Sequence, residues 1–231
     1  MVEILHDHDD WIVINKPAGL SVHNNEDKDN VLLNLEKQGF SGFSAVNRLD
    51  KDTSGIMLLS KNSQYSALLQ QVLSLSTTIK KYLSIVKGNF PQTITSGSWS
   101  QDLTNKAEGR NNPEGKKSER VNCLTHFKIL NQNRYLSLLF LHIETGRQHQ
   151  IRKHCVLNKH QVVGDSRYGD KKFNLLIQKK YSFNEMALHS YSLMFHFQDQ
   201  EFNFQAQPPQ CWKALDVYSE DILNNCNFLA E

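Results

Sequence analysis

The chain has 231 residues, 39% hydrophobic and 22% charged, with a formal net charge of +2. That length suits one large domain or two small ones, and the composition excludes disorder, collagen and a coiled coil. The acidic start MVEILHDHDD argues against a secretory signal, and no apolar stretch is long enough to span a bilayer. Cys123, Cys155, Cys211 and Cys226 are scattered, which disfavours a disulfide framework or a zinc knuckle, so we expect a reduced, cytoplasmic protein.

Taken in order, Trp11 to Ile14 reads as a short buried strand running into the turn Asn15-Lys16-Pro17-Ala18-Gly19. Asn30 is placed to cap a helix through Lys37, ended by Gly39. Gly55 precedes a strand from Ile56 to Ser60. Ser63 then caps a helix with Leu68, Leu69, Val72 and Leu73 on one face. Ile79 to Val86 reads as a strand stopped by Gly88. The polar stretch from Gln92 to Arg120 reads as a hairpin with a long mobile loop, an insertion rather than a domain boundary.

Val121 to Leu130 and Tyr135 to Glu144 form a predicted antiparallel hairpin. A helix is expected from Arg147 or Gln148, and another over Lys171 to Lys179. Strands return at Met186 to Phe197 and Glu201 to Gln205, and Pro208-Pro209 opens a short helix around Trp212 to Tyr218. Strands and helices mix without a steady βαβ rhythm. The fold class is therefore α+β, on a mixed, mostly antiparallel sheet flanked by helices. We expect one domain over residues 1–231.

Charge is unevenly spread. Between Arg147 and Lys180 nine Lys or Arg face two Asp, a local balance of +7 that leaves −5 for the rest. Such a segment is either a solvated helix face or a basic surface for a polyanion. In the latter case affinity for the polyanion should fall steeply with salt.

Residues 45–55, AVNRLDKDTSG, crowd Arg48, Asp50, Lys51 and Asp52 against an apolar run. An ordinary Asx or ST turn fits this string. So does a carboxylate presented at a sheet edge, with Thr53 and Ser54 hydroxyls and backbone N–H groups holding Asp50 or its loop. The ten histidines suggest a metal, but His149 and His154 are five apart, off the i, i+4 spacing of a helical ligand pair. No phosphate-binding loop of the G-x-x-x-x-G-K-[ST] type is present.

Six stretches occur in order: NKPAGLSVH (15–23), NRLDKDTSG (47–55), KKYLSIVKG (80–88), TGRQHQIRKH (145–154), GDSRYG (164–169) and ALHSYSLMF (187–195). Together they resemble the motif set of the RluA family of RNA pseudouridine synthases, over roughly residues 10 to 200. The resemblance implies a catalytic core with a central cleft. It also implies a reaction that uses neither metal nor cofactor. The N1–C1′ bond of a uridine in structured tRNA or rRNA is broken, and the base is rejoined through C5.

In that family one aspartate is catalytic, and here it falls on Asp50. Arg152 matches the arginine that pairs with it, and Tyr82 the tyrosine that lies against the everted base. Arg48 corresponds to a residue that, in a relative, fills the space the base vacates. A nucleophile or base must be ionised when it acts, and a guanidinium offers a fixed fork to keep it so. Two departures stand out. Asn47 replaces the histidine of the usual His-Arg-Leu-Asp, and NKHQVVGDSRYG lacks the common Gly-x-Pro-Ile wording. Because the core motifs begin by Trp11, we expect no S4-type RNA-binding domain ahead of them. Specificity is then expected from the basic loop Arg110 to Arg120 and the helix around Lys171 to Lys180.

The expected partner is RNA, with no membrane and no obligatory protein partner, and the chain is expected to act as a monomer. A catalytically silent RNA-binding protein of the same fold is the alternative. A hydrolase using Asp50 and Asp52 would need clustered carboxylates and a divalent ion.

Overall fold

The computed structural model describes residues 1–22 and 29–224; His23 of the first motif and Cys226 lie outside the described residues. The strands are β1 (Glu3–Asp7), β2 (Trp11–Lys16), β3 (Ser44–Ala45), β4 (Ser54–Ser60), β5 (Ile79–Lys87), β6 (Ser96–Trp99), β7 (Thr125–Gln132), β8 (Leu136–Ile143), β9 (Leu188–Phe197) and β10 (Gln200–Gln205). The α-helices are α1 (Val31–Lys37), α2 (Ser63–Val72), α3 (Gln150–Leu157), α4 (Lys171–Tyr181) and α5 (Glu220–Asn224). This is the α+β class. No described helix is long and apolar enough to cross a membrane. Contacts group the chain into two units. The first holds Met1–Tyr82, His142–Thr145 and Leu188–Pro209; the second holds Leu83–Leu141, Gly146–Ala187 and Gln210–Glu231.

In the first unit the strand order is β1-β2-β4-β9, with β3 also on β4 and β10 on β9. All these pairings are antiparallel except β4 with β9. Every residue of β4 is buried. Side chains alternate across a strand, so β2 and β4 feed two cores. Trp11, Val13, Ile56 and Leu58 pack with Leu69 and Leu73 at α2 and with Leu193, Phe195 and Phe197 of β9. Ile12, Ile14, Met57 and Leu59 pack with Val31 and Leu35 of α1 and with Leu49. Each such buried side chain contributes about 1.5–3 kcal/mol. A strand covered on both faces reads as the unbroken apolar run seen after Gly55.

The helix ends follow from local chemistry. Asn30 caps α1 by accepting from the Leu33 N–H at 3.0 Å. The cap of α2 is Asn62, which accepts from the Tyr65 N–H at 3.0 Å, one residue before the expected Ser63. Leu69 and Leu73 face the core as expected, but Leu68 is 43% exposed. The i, i+1 pair makes a stripe wider than the sheet can cover.

The second unit has the order β5-β8-β7-β6, with β6 antiparallel to β7. The expected hairpin between 92 and 120 does not form, because the one strand there, β6, pairs with β7 instead. The loop beyond it is closed by paired backbone bonds between Leu103 and Val121 and by ion pairs Lys106–Glu119 and Arg120–Glu114. Helix α3 starts at Gln150, later than expected, because His149 sits in the left-handed region at φ 58°. Helix α4 begins at Lys171, as the sequence predicts, behind an Asp170 cap, and runs two residues beyond Lys179. In place of one helix from Trp212 to Tyr218 there is a 3-10 turn over Gln210–Ala214, and α5 follows separately.

Candidate active site

In the first unit the segment from Asn47 to Gly55 connects two anchored points. The Asn47 side-chain oxygen accepts from the Leu58 N–H at 2.8 Å, so the residue that departs from the family pattern holds the loop entrance to β4. Leu49 is buried in the α1-side core, while Arg48 and Lys51 are exposed and Asp50 is half-buried. The Thr53 N–H donates to the Asp50 carbonyl at 3.1 Å and closes a tight turn. Asp50 is thus presented by a turn whose neighbour is locked into the core.

The hydroxyls expected to hold that carboxylate do something else. Ser54 Oγ bonds His189 Nδ1 at 2.8 Å, and Thr53 Oγ1 is buried with no hydrogen-bond partner among the described residues. His189 Nε2 lies 2.9 Å from the Ala206 carbonyl, which can only accept, so Nε2 carries the proton and Nδ1 accepts from Ser54. Burial lowers the His189 pKa to about 4, against a smaller opposing effect of the Ala206 bond, so the ring is neutral at physiological pH.

Sequence reasoning missed Lys16. It is fully buried at the end of β2, and its ammonium donates to the carbonyls of Pro17 (2.9 Å), Leu20 (2.8 Å) and Lys51 (2.9 Å). One cation therefore fastens the NKPAG turn to the loop bearing Asp50. Burial lowers its pKa to about 8, and the charges of Asp52 and Asp50 push the other way. A lysine closing an apolar strand directly before Pro-Ala-Gly was the available signal.

Tyr82 ends the β5 residues of this unit, and its ring packs against the α1-side core that contains Leu49. Tyr82 is half-buried as a residue, and its phenol is desolvated. Burial drives its pKa up to about 12, against a smaller lowering effect of the Ser190 side chain, and the charge of Asp50 adds to the rise. Two of the expected site residues, Asp50 and Tyr82, thus share one environment. A carboxylate beside a neutral, partly open aromatic face can serve as nucleophile or base toward a planar ligand lying on that face.

Arg152 lies in the second unit. Its Nε and Nη2 form a fork on Asp165 at 2.7 and 2.9 Å, and its guanidinium lies 5.2 Å from the Tyr168 ring centroid. Burial alone would raise the Asp165 pKa, but the Arg152 bonds and charge, with N–H donors from Tyr168 and Arg167, hold it below the usual carboxylate value. The basic segment is not one surface. Besides Arg152, Lys153 is buried with its ammonium on the Thr104 and Lys106 carbonyls, and Arg167 reaches the Ala107 and Glu108 carbonyls. Lys159, Lys171, Lys172 and Lys179 are exposed. Among the described residues no three His, Cys, Asp or Glu converge to hold a metal ion.

A family model described as RNA pseudouridylate synthase matches residues 10–156. A ribosomal large subunit pseudouridine synthase C from Buchnera aphidicola subsp. Baizongia pistaciae is 29% identical over 96% of this chain and 70% of its own length. A tRNA pseudouridine synthase C from Pectobacterium carotovorum is 27% identical over 93% of this chain and 61% of its own. The solved structure of human RNA pseudouridylate synthase domain containing 1 shares the fold, with a TM-score of 0.78 at 22% identity over 97% of this chain and 93% of that one. The match over most of the chain, on a shared fold, places this protein in the RNA pseudouridylate synthase family, isomerases that convert uridine in RNA to pseudouridine.

Proposed function

We propose that this chain isomerises one or more uridines in a structured tRNA or rRNA, with Asp50 as the reacting carboxylate and an everted base lying on Tyr82. The observation that carries this reading is that Tyr82 packs against the same core that buries Leu49, the neighbour of Asp50, in a chain of this family. The names of the relatives, a ribosomal and a tRNA synthase, support both RNA classes. A duplex hides the target atoms of its bases, so an enzyme acting on one must take it out of the stack at a cost of a few kcal/mol. Exposed Arg48, two residues from Asp50, is suited to fill the space left behind, since a guanidinium can stack and meet phosphates. The exposed lysines of α4 are suited to phosphate contacts.

The test uses tRNA and rRNA transcripts labelled with tritium at uridine C5, where pseudouridine formation releases the label. Wild type should release tritium from at least one transcript. Asp50→Ala should bind that RNA and release none. Equal behaviour of the two proteins across the panel would reject the reading in favour of RNA binding without chemistry.

A further inference from the structure

We infer that Asn47 is a positioning residue for Asp50: its side-chain oxygen replaces a backbone partner on β4 and so fixes where the reacting loop leaves the sheet. This rests on the proposed role of Asp50. The motif resemblance assigns Asn47 no part, since the usual pattern carries a histidine there.

Strand β3 runs along β4 with Ser44 opposite Ser60 and Ala45 opposite Leu59. The next residue continues the pairing by half. The Val46 N–H donates to the Leu58 carbonyl at 3.0 Å. In a continuing antiparallel ladder the Leu58 N–H would return to the Val46 carbonyl. It donates instead to Asn47 Oδ1 at 2.8 Å. The amide side chain thus takes over the donor, and the backbone after Val46 leaves the sheet without stranding that N–H. The anchor is itself rigidly placed. Leu58 is fully buried and stands opposite Val13 of β2, on the other edge of β4.

A second pin holds the far side of the same loop, where the Lys51 carbonyl accepts from the buried Lys16 ammonium at 2.9 Å. Only Arg48, Leu49 and Asp50 lie between the two pins. Consecutive Cα atoms are about 3.8 Å apart, so three residues between fixed ends have little room to move. Leu49 narrows that room by packing into the α1-side core, and the Thr53 N–H closes the turn on the Asp50 carbonyl. Without the Asn47 bond the loop keeps its later pins and loses the one ahead of Asp50. Misplacing a reacting group by about 1 Å can cost about 100-fold in rate, so a bond away from the chemistry can govern it. The contribution is preorganisation of the carboxylate, which belongs to the rate of the reaction rather than to RNA affinity.

The experiment compares the full chain with Asn47→Leu, which keeps the size and removes the acceptor, and Asn47→Asp, which restores an acceptor oxygen. In hydrogen exchange followed by NMR, the Leu58 amide should exchange faster in Asn47→Leu and regain its protection in Asn47→Asp. The order parameter of the Asp50 amide should fall and recover in the same way. In a single turnover with saturating RNA substrate, Asn47→Leu should lower the rate constant about three- to tenfold, the size of one neutral hydrogen bond. RNA affinity should not change, and Asn47→Asp should regain most of the rate. A merely structural role would lower the amplitude of the turnover and leave its rate constant alone, and that outcome would overturn the inference. So would unchanged Leu58 and Asp50 amides, or an RNA affinity that falls in step with the rate. An inactive wild type would defeat the proposed function instead, and the two amides would still accept or reject the pin.

Discussion

The buried ammonium of Lys16 donates to the carbonyl of Lys51 at 2.9 Å, joining the end of β2 to the loop that presents Asp50. With its bonds to Pro17 and Leu20, this one side chain satisfies three carbonyls from two loops. Lys16→Met keeps the aliphatic stem and strands all three. We expect a loss of about 2–4 kcal/mol in urea denaturation, from unpaired buried acceptors.

The same residue predicts a pH dependence. Its folded pKa of about 8 lies below the unfolded lysine value, so between about pH 8 and 10.5 the unfolded chain binds more protons. Stability attributable to Lys16 therefore rises with pH across that window, by up to roughly 1.4 kcal/mol per pH unit. The difference between wild type and Lys16→Met, followed by urea midpoints from pH 7.5 to 10.5, should grow in favour of wild type. A flat difference would show that the ammonium is not desolvated.

His189 behaves likewise in acid. Its folded pKa of about 4 lies below the unfolded value near 6.5, so the unfolded chain again binds the extra proton. The contribution is fully present above about pH 6.5 and is lost as pH falls toward 4, on the order of 3 kcal/mol in all. Thermal midpoints between pH 7 and 4 should fall more steeply for wild type than for His189→Gln, which cannot titrate.

Gly55→Ala should be the most damaging single methyl group in the first unit. The added carbon would meet the Ser190 carbonyl at 2.2 Å in a backbone conformation that L residues rarely adopt. A loss beyond about 4 kcal/mol is expected, in the exceptional range for point changes. Near-native stability by denaturation would mean that β4 and β9 can separate there.

In the second unit, Arg152→Met leaves the buried Asp165 carboxylate without its fork. We expect a loss of about 3–5 kcal/mol. The double change Arg152→Met/Asp165→Asn should recover part of it, because the uncompensated charge is gone. A double variant as unstable as the single one would place the cost in packing rather than charge.

Much of the fold was legible because local rules and tertiary demands agreed. Asn30 and Gly39 bound α1, α4 begins at the expected Lys171, and the apolar run after Gly55 is the doubly covered strand β4. The misses have physical reasons. Asn62 and Ser63 are both good caps, and the structure places the extended cap backbone at Asn62. His149 adopts a left-handed conformation that a helix-forming sequence does not announce, so α3 begins late. The polar insertion has hairpin composition, yet β6 finds its partner in β7, and its loop carbonyls are taken by Lys153 and Arg167.

The sequence by itself determined the family, through six motifs in order, and with it Asp50 and Tyr82 as the residues to inspect. Only the tertiary structure decided what the charges do. Arg152 and Lys153 look in sequence like Lys171 and Lys172, but the first two are buried on a distant carboxylate and distant carbonyls while the others face solvent. Lys16 acquired its role in the same way. Burying an ammonium or a hydroxyl requires partners, and those partners come from parts of the chain that only folding brings near.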